Sequence, residues 1–161
     1  MARNPVFYAD MDVPDTVMGR FEMMTLTMVV FLRRTHKRDE ALTDLAQSIV
    51  DTFFEDMDHS IRELGVGDVS VPKRMKKLAR MFYGRAQSYG DAFNDSDKEE
   101  LARCLARNLY PPDRPSSGEA PVDMHKLAAA AIELETQMAG LADEDLLSGQ
   151  LKLQAEIFEH K

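Results

Sequence analysis

The chain has 161 residues, 44% of them hydrophobic, and a formal net charge of -8, which is enough apolar material for one packed domain, or one domain with an arm, that folds alone. Its single cysteine, Cys104, excludes an internal disulfide and a zinc site built from cysteines, and suits a reducing compartment. The longest apolar run, residues 23–32, is half the length that spans a bilayer and holds Thr25 and Thr27, so no transmembrane helix is expected.

The opening stretch MARNPVFYADMDVPD has neither the apolar segment of a secretory signal nor the Arg-rich, acid-poor make-up of a mitochondrial transit peptide, and the chain reads as cytoplasmic. After Val13-Pro14, with Asp15 or Thr16 as cap, a first helix is predicted to run to about Thr35. Between Phe21 and Arg33 its only polar residues are Glu22, Thr25 and Thr27, the pattern of a central, buried helix. A second helix starts near Asp39 and stops at Gly65, a natural left-handed C-terminal residue. Pro72 opens a third that ends near Phe93. Ser96 as N-cap, with Glu99 three residues on, predicts a fourth reaching about Leu109. YPPDRPSSGEAP, residues 110–121, can be neither helix nor central strand and reads as a mobile linker. Two further helices are expected over 122–139 and 144–159. The fold class is all-α: a compact bundle of about four helices over residues 1–110, a Pro/Ser-rich linker over 111–121, and a C-terminal hairpin over 122–161. Leu127, Leu134, Leu141, Leu146, Leu151 and Phe158 give that hairpin an apolar surface to bury on the core or on a second copy.

Charge is unevenly spread along this frame. Residues 39–68 carry nine acids against one base, Arg62, whereas residues 69–90 carry six bases and no acid. On the third helix Met75, Leu78, Ala79, Phe82, Ala86, Tyr89 and Phe93 make an unbroken apolar stripe. Lys73, Lys76, Lys77 and Arg80 fall on the opposite side, with Arg74 and Arg85 on one flank. One reading is a solvated face that pairs with the acidic second helix. The other is a docking patch for an anionic surface, RNA included; DNA is not expected, because the acidic remainder repels a long duplex and no DNA-binding pattern is present.

No catalytic, cofactor or metal constellation emerges. GVGD is a lone G-x-G without a preceding strand or a third glycine. Asp56-x-x-His59 is one pair where a di-iron bundle needs two such motifs and two more carboxylates, and no G-x-S-x-G turn suggests acyl transfer. Asp56 falls beside Ile49, Phe53 and Leu64 on the side expected to face the core, which predicts a structural ion pair with a base of the first or third helix. Eleven methionines suit an apolar surface that adapts to varied partners.

Two stretches, NPVFYADMDVPDTVMGRFEMMTLTMVVFLRR and FFEDMDHSIRELGVGDVSVPKRMKKLARMFYGR, resemble the ubiquinol-cytochrome c chaperone family, assembly factors of the respiratory bc1 complex. The similarity covers about residues 4–93; the tail from Pro111 matches nothing recognised, and the chain looks like a bacterial relative. The resemblance implies an all-helical, non-enzymatic holding protein without cofactor that takes newly made cytochrome b as client, with a small helical partner, near the ribosomal exit. The basic side of the third helix would then face the ribosome or an anionic inner-membrane surface. Helix one, or the groove beside it with Met23, Met24 and Phe31, would be the client side. Against this stands an RNA-binding or regulatory module that uses residues 72–93 alone.

Overall fold

The described residues form seven helices, several of them started by a side-chain cap. The computed structural model describes residues 2–36, 38–110, 122–151 and 153, and no strand occurs among the described residues. The helices are α1 (Pro5–Ala9), α2 (Val17–Thr35), α3 (Glu40–Glu63), α4 (Val71–Asn94), α5 (Lys98–Leu109), α6 (Val122–Ala139) and α7 (Asp143–Leu147).

The long helices keep their expected boundaries for identifiable reasons. Thr16 caps α2 by accepting the Gly19 amide at 3.0 Å, and Asp39 caps α3 by accepting the Leu42 amide at 3.0 Å. Gly65, at φ +75°, ends α3 in the left-handed region. A Cβ on Gly19 would collide with the Pro14 carbonyl oxygen. Gly19→Ala is therefore expected to lower stability by about 1–3 kcal/mol, read from the urea midpoint; an unshifted midpoint would mean that the Pro14 turn yields freely.

Three local expectations are corrected. The cap of α5 is Asp97, which accepts the Glu100 amide at 2.8 Å, while Ser96 sits at φ +52° as a turn residue and cannot cap. Helix α7 ends at Leu147, so the helix expected over 144–159 is interrupted there: the Ser148 and Gly149 amides bond back to Glu144 and Leu146, and Gly149 turns left-handed at φ +71°. Helix α1 was not anticipated, although Pro5 at its start and the Asn4 side chain on the Val6 amide are ordinary initiation signals. Residues 111–121 of the expected linker, and residues 152 and 154–159 of the expected last helix, lie outside the described residues.

Helix α2 lies at the centre, packed against α3, α4, α5 and α6. Pairs Glu22–Arg85 and Arg33–Asn94 show that α2 and α4 run parallel. The larger core joins Val30 of α2, Tyr89 and Phe93 of α4, Leu101 and Leu105 of α5, and Leu127 and Met138 of α6. A second, smaller core is built from Phe21, Phe53 and Phe82, with Met24, Met28, Met57 and Met81 around them. Arg34 is buried and fixes the turn after α6: it donates to the Met138 carbonyl at 3.1 Å and the Leu141 carbonyl at 2.6 Å, and pairs with Asp143. A cation so placed answers the unpaired carbonyls and negative end of a helix C-terminus.

Candidate functional site: an apolar groove and a basic helix face

The apolar stripe of α3 is only partly covered. Leu42, Phe53 and Ile61 are buried, but Leu45, Ile49, Val50, Phe54 and Met57 remain half-buried. A groove of about 450 Å³ opens between α2 and α3 and is closed on one side by α6. Met24, Met28 and Phe31 line it from α2, Ile49 and Phe53 from α3, and Leu134 and Met138 from α6, with Leu151 at the rim. Its walls are apolar apart from Thr27, Ser48, Thr52 and Asp56.

Sequence reasoning places three residues here, and the structure brings two of them together. Met24 and Phe31 face the groove, whereas Met23 is buried in the larger core and has no access to it. The reason is angular: on α2 the groove takes the 24–28–31 row, and Met23 lies one residue off it, toward the core. Asp56 is a correction as well. It is exposed on the groove lip, and no cation pairs with it among the described residues. Its side of α3 meets an open groove instead of a filled core, so water solvates the carboxylate and no ion pair is needed.

The buried ion pair lies elsewhere. Glu22 of α2 is 1% exposed and meets the 13% exposed side chain of Arg85, whose Nε lies 2.6 Å from both carboxylate oxygens. The Tyr89 hydroxyl donates to Glu22 at 3.4 Å and accepts from the Asn108 amide at 2.9 Å, so the network ties α2, α4 and α5 together. Burial pushes the Glu22 carboxyl above its usual range against the pull of the Arg85 guanidinium, and burial with the Glu22 charge pushes the Tyr89 hydroxyl up. Arg85 is thereby removed from the expected docking set, because its charge is spent inside the fold.

The other five bases stand as expected from the wheel. Lys73, Arg74, Lys76, Lys77 and Arg80 are all exposed on α4, and none forms an ion pair with α3 or any other described residue. Acids at the end of α3 and in the turn after it are engaged otherwise: Arg62 holds Asp58 at 2.6 Å and Asp68 of the turn at 2.5 Å, and Glu63 lies 3.2 Å from His59. Cys104 is buried, and that burial raises its thiol pKa, which leaves it a poor nucleophile. Among the described residues no group of three His, Cys, Asp or Glu could hold a metal ion, and no helix is long and apolar enough to cross a membrane.

Met28, Ile49, Leu134 and Met138 were missed as groove residues. Met28 carried a usable signal, since it follows Met24 at one helical turn; Leu134 and Met138 carried none, because only the docking of α6 brings them there.

The described surface thus carries both a methionine-lined groove between α2, α3 and α6 and a set of exposed bases on α4 that form no ion pair with other described residues. Residues 9–154 match the model of the ubiquinol-cytochrome C chaperone family, and the chain belongs to that family. Over 103 residues it is 26% identical to the ubiquinol-cytochrome-c reductase complex assembly factor 1 of Xenopus laevis. That match takes in 64% of this chain and 51% of that protein, so the chain spans about half the length of this curated relative. The crystal structure of the Cbp3 homolog from Brucella abortus has a TM-score of 0.84 to this fold at 43% identity, covering 98% of this chain and 85% of that one.

Proposed function

We propose that this protein is a non-catalytic assembly chaperone of the ubiquinol-cytochrome c reductase (bc1) complex, and that its client is newly made cytochrome b. The observation that carries the reading is the half-covered α3 stripe over a groove lined by Met24, Met28, Phe31 and Met138 in a member of this family. A membrane polypeptide awaiting its cofactors and partners exposes apolar side chains that need temporary cover. Unbranched thioethers repack around side chains of differing shape, which suits holding a segment without a rigid fit. At about 450 Å³ the groove has room for a few such side chains. Holding requires contact and release but no bond making, so no catalytic residue is needed.

Removal of the gene tests this directly. Cytochrome b transcript should persist while assembled cytochrome b and bc1 activity fall, with other membrane complexes largely spared. Met28→Gln and Phe31→Gln, both at half-buried groove positions, should reproduce the defect in folded protein and each weaken client binding by more than about 1 kcal/mol. Normal bc1 assembly in the deletion strain, with no paralogue compensating, would overturn the proposal.

A further inference from the structure

The α3–α4 hairpin ends in an apolar tip beside the free bases. Leu64 and Val69 are 65% and 96% exposed there, although neither faces the groove. The tip is not a frayed end. The Gly65 amide bonds to the Arg62 carbonyl at 2.9 Å and the Ser70 amide to the Gly67 carbonyl at 2.8 Å, over buried Ile61 and Val71. It also projects. Phe21, Phe53 and Phe82 stand at one level, with ring centroids 6.1 and 5.5 Å apart. From that level α4 runs back to Val71, about 16 Å, while α2 runs back only to Val17, about 6 Å, at 1.5 Å per residue. The hairpin tip thus stands about 10 Å beyond the start of α2.

Charge has the same address. Arg62 to Arg80 contains six bases and two acids, a stretch of +4 in a chain of -8. Lys73, Arg74, Lys76, Lys77 and Arg80 sit within three turns of Val69, and all are exposed. Exposed aliphatic side chains at a projecting tip, followed at once by lysines and arginines with long apolar stems, match the two layers of a bilayer interface: acyl boundary first, headgroup phosphates above it. RNA would call for stacking or hydrogen-bonding groups at the tip, and Leu64, Val66 and Val69 offer none. The strongly acidic remainder would be repelled by the same surface, which favours approach by the tip.

We propose that the α3–α4 hairpin tip docks this protein on anionic phospholipid bilayers, with Leu64 and Val69 entering the interface and Lys73, Arg74, Lys76, Lys77 and Arg80 engaging headgroup phosphates. This attachment is independent of what the groove holds.

The chain contains no tryptophan, so Val69→Trp supplies a sole reporter at the tip and Gln47→Trp, exposed on the far half of α3, supplies its control. Both should keep the helical circular dichroism of the parent. With vesicles of phosphatidylglycerol and phosphatidylcholine at low salt, the protein should cosediment and the reporter at position 69 should shift to the blue, while that at 47 should not. Pure phosphatidylcholine vesicles should produce neither effect. Replacing Lys73, Lys76, Lys77 and Arg80 by Gln should reduce partitioning by about 10²–10³, at about fivefold per base. Leu64→Ser with Val69→Ser should reduce it about tenfold. The proposal is overturned if anionic vesicles fail to bind the protein, if they bind it without the shift at 69, or if the four-base variant binds unchanged. It is equally overturned if single-stranded RNA binds more tightly than anionic vesicles through the same four bases.

Discussion

Arg85→Ala is expected to lower stability by about 3–5 kcal/mol, because it leaves a nearly inaccessible carboxylate without its counter-charge. Glu22 is 1% exposed and, among the described residues, has Arg85 as its sole cationic partner, with Tyr89 as a weaker donor at 3.4 Å. A domain of this size holds together by only about 5–15 kcal/mol, so the loss is a large part of the total. Conditions modulate it. The folded Glu22 carboxyl already has a raised pKa from burial, and losing Arg85 raises it further. A folded state that binds a proton more tightly than the unfolded chain gains stability as pH falls through the raised pKa. The deficit of Arg85→Ala should therefore shrink from neutral pH toward the ordinary carboxylate range, and urea denaturation at both ends of that range checks it. Lys73→Gln, on the same helix but exposed, should stay within about 0.5 kcal/mol of the parent. A small, pH-independent loss in Arg85→Ala would mean that water reaches Glu22.

Phe82→Ala should cost about 3–5 kcal/mol by a different route, a void in the smaller core. Its ring lies 5.5 Å from Phe53, 5.5 Å from Phe54 and 5.4 Å from Tyr83, so one truncation strips contacts from both α3 rings. The loss should appear as a lower denaturation midpoint. A cost below about 1 kcal/mol would indicate that Met24, Met28 and Met81 flow into the space, which is what thioether side chains do best.

These two residues also mark what could be read in the sequence. Phe82 was legible as core because an apolar stripe at 3.6-residue spacing leaves it no other place. The all-helical class and the ends of α2, α3 and α4 were legible from Thr16, Asp39, Gly65 and Pro72, whose local chemistry acts regardless of the fold. Arg85 was misplaced because its charge was counted with the exposed bases, although it stands three residues after Phe82 and four before Tyr89, on the stripe itself. Glu22 gave the matching signal: a lone acid in an apolar helix must find a cation. The groove was half legible. Met24 and Phe31 follow from α2 alone, but Met23 and Asp56 were misjudged because a wheel shows which side faces inward and not whether that side is filled. Leu134 and Met138 depend on α6 crossing the chain's first half, a contact with no local cause.

The two cores divide the labour of holding α3. Near its start the helix is anchored by Leu42 in the larger cluster; farther along it rests on rings and thioethers belonging to the smaller one. Lifting the far part of α3 disturbs Phe21, Phe53 and Phe82 but leaves the packing of α2 with α5 and α6 untouched, so the opening free energy is local rather than global. Side chains of the smaller core, Phe53, Met24 and Met28, are also walls of the groove, so a truncation there bears on the groove before it bears on the packing of α2 with α5 and α6.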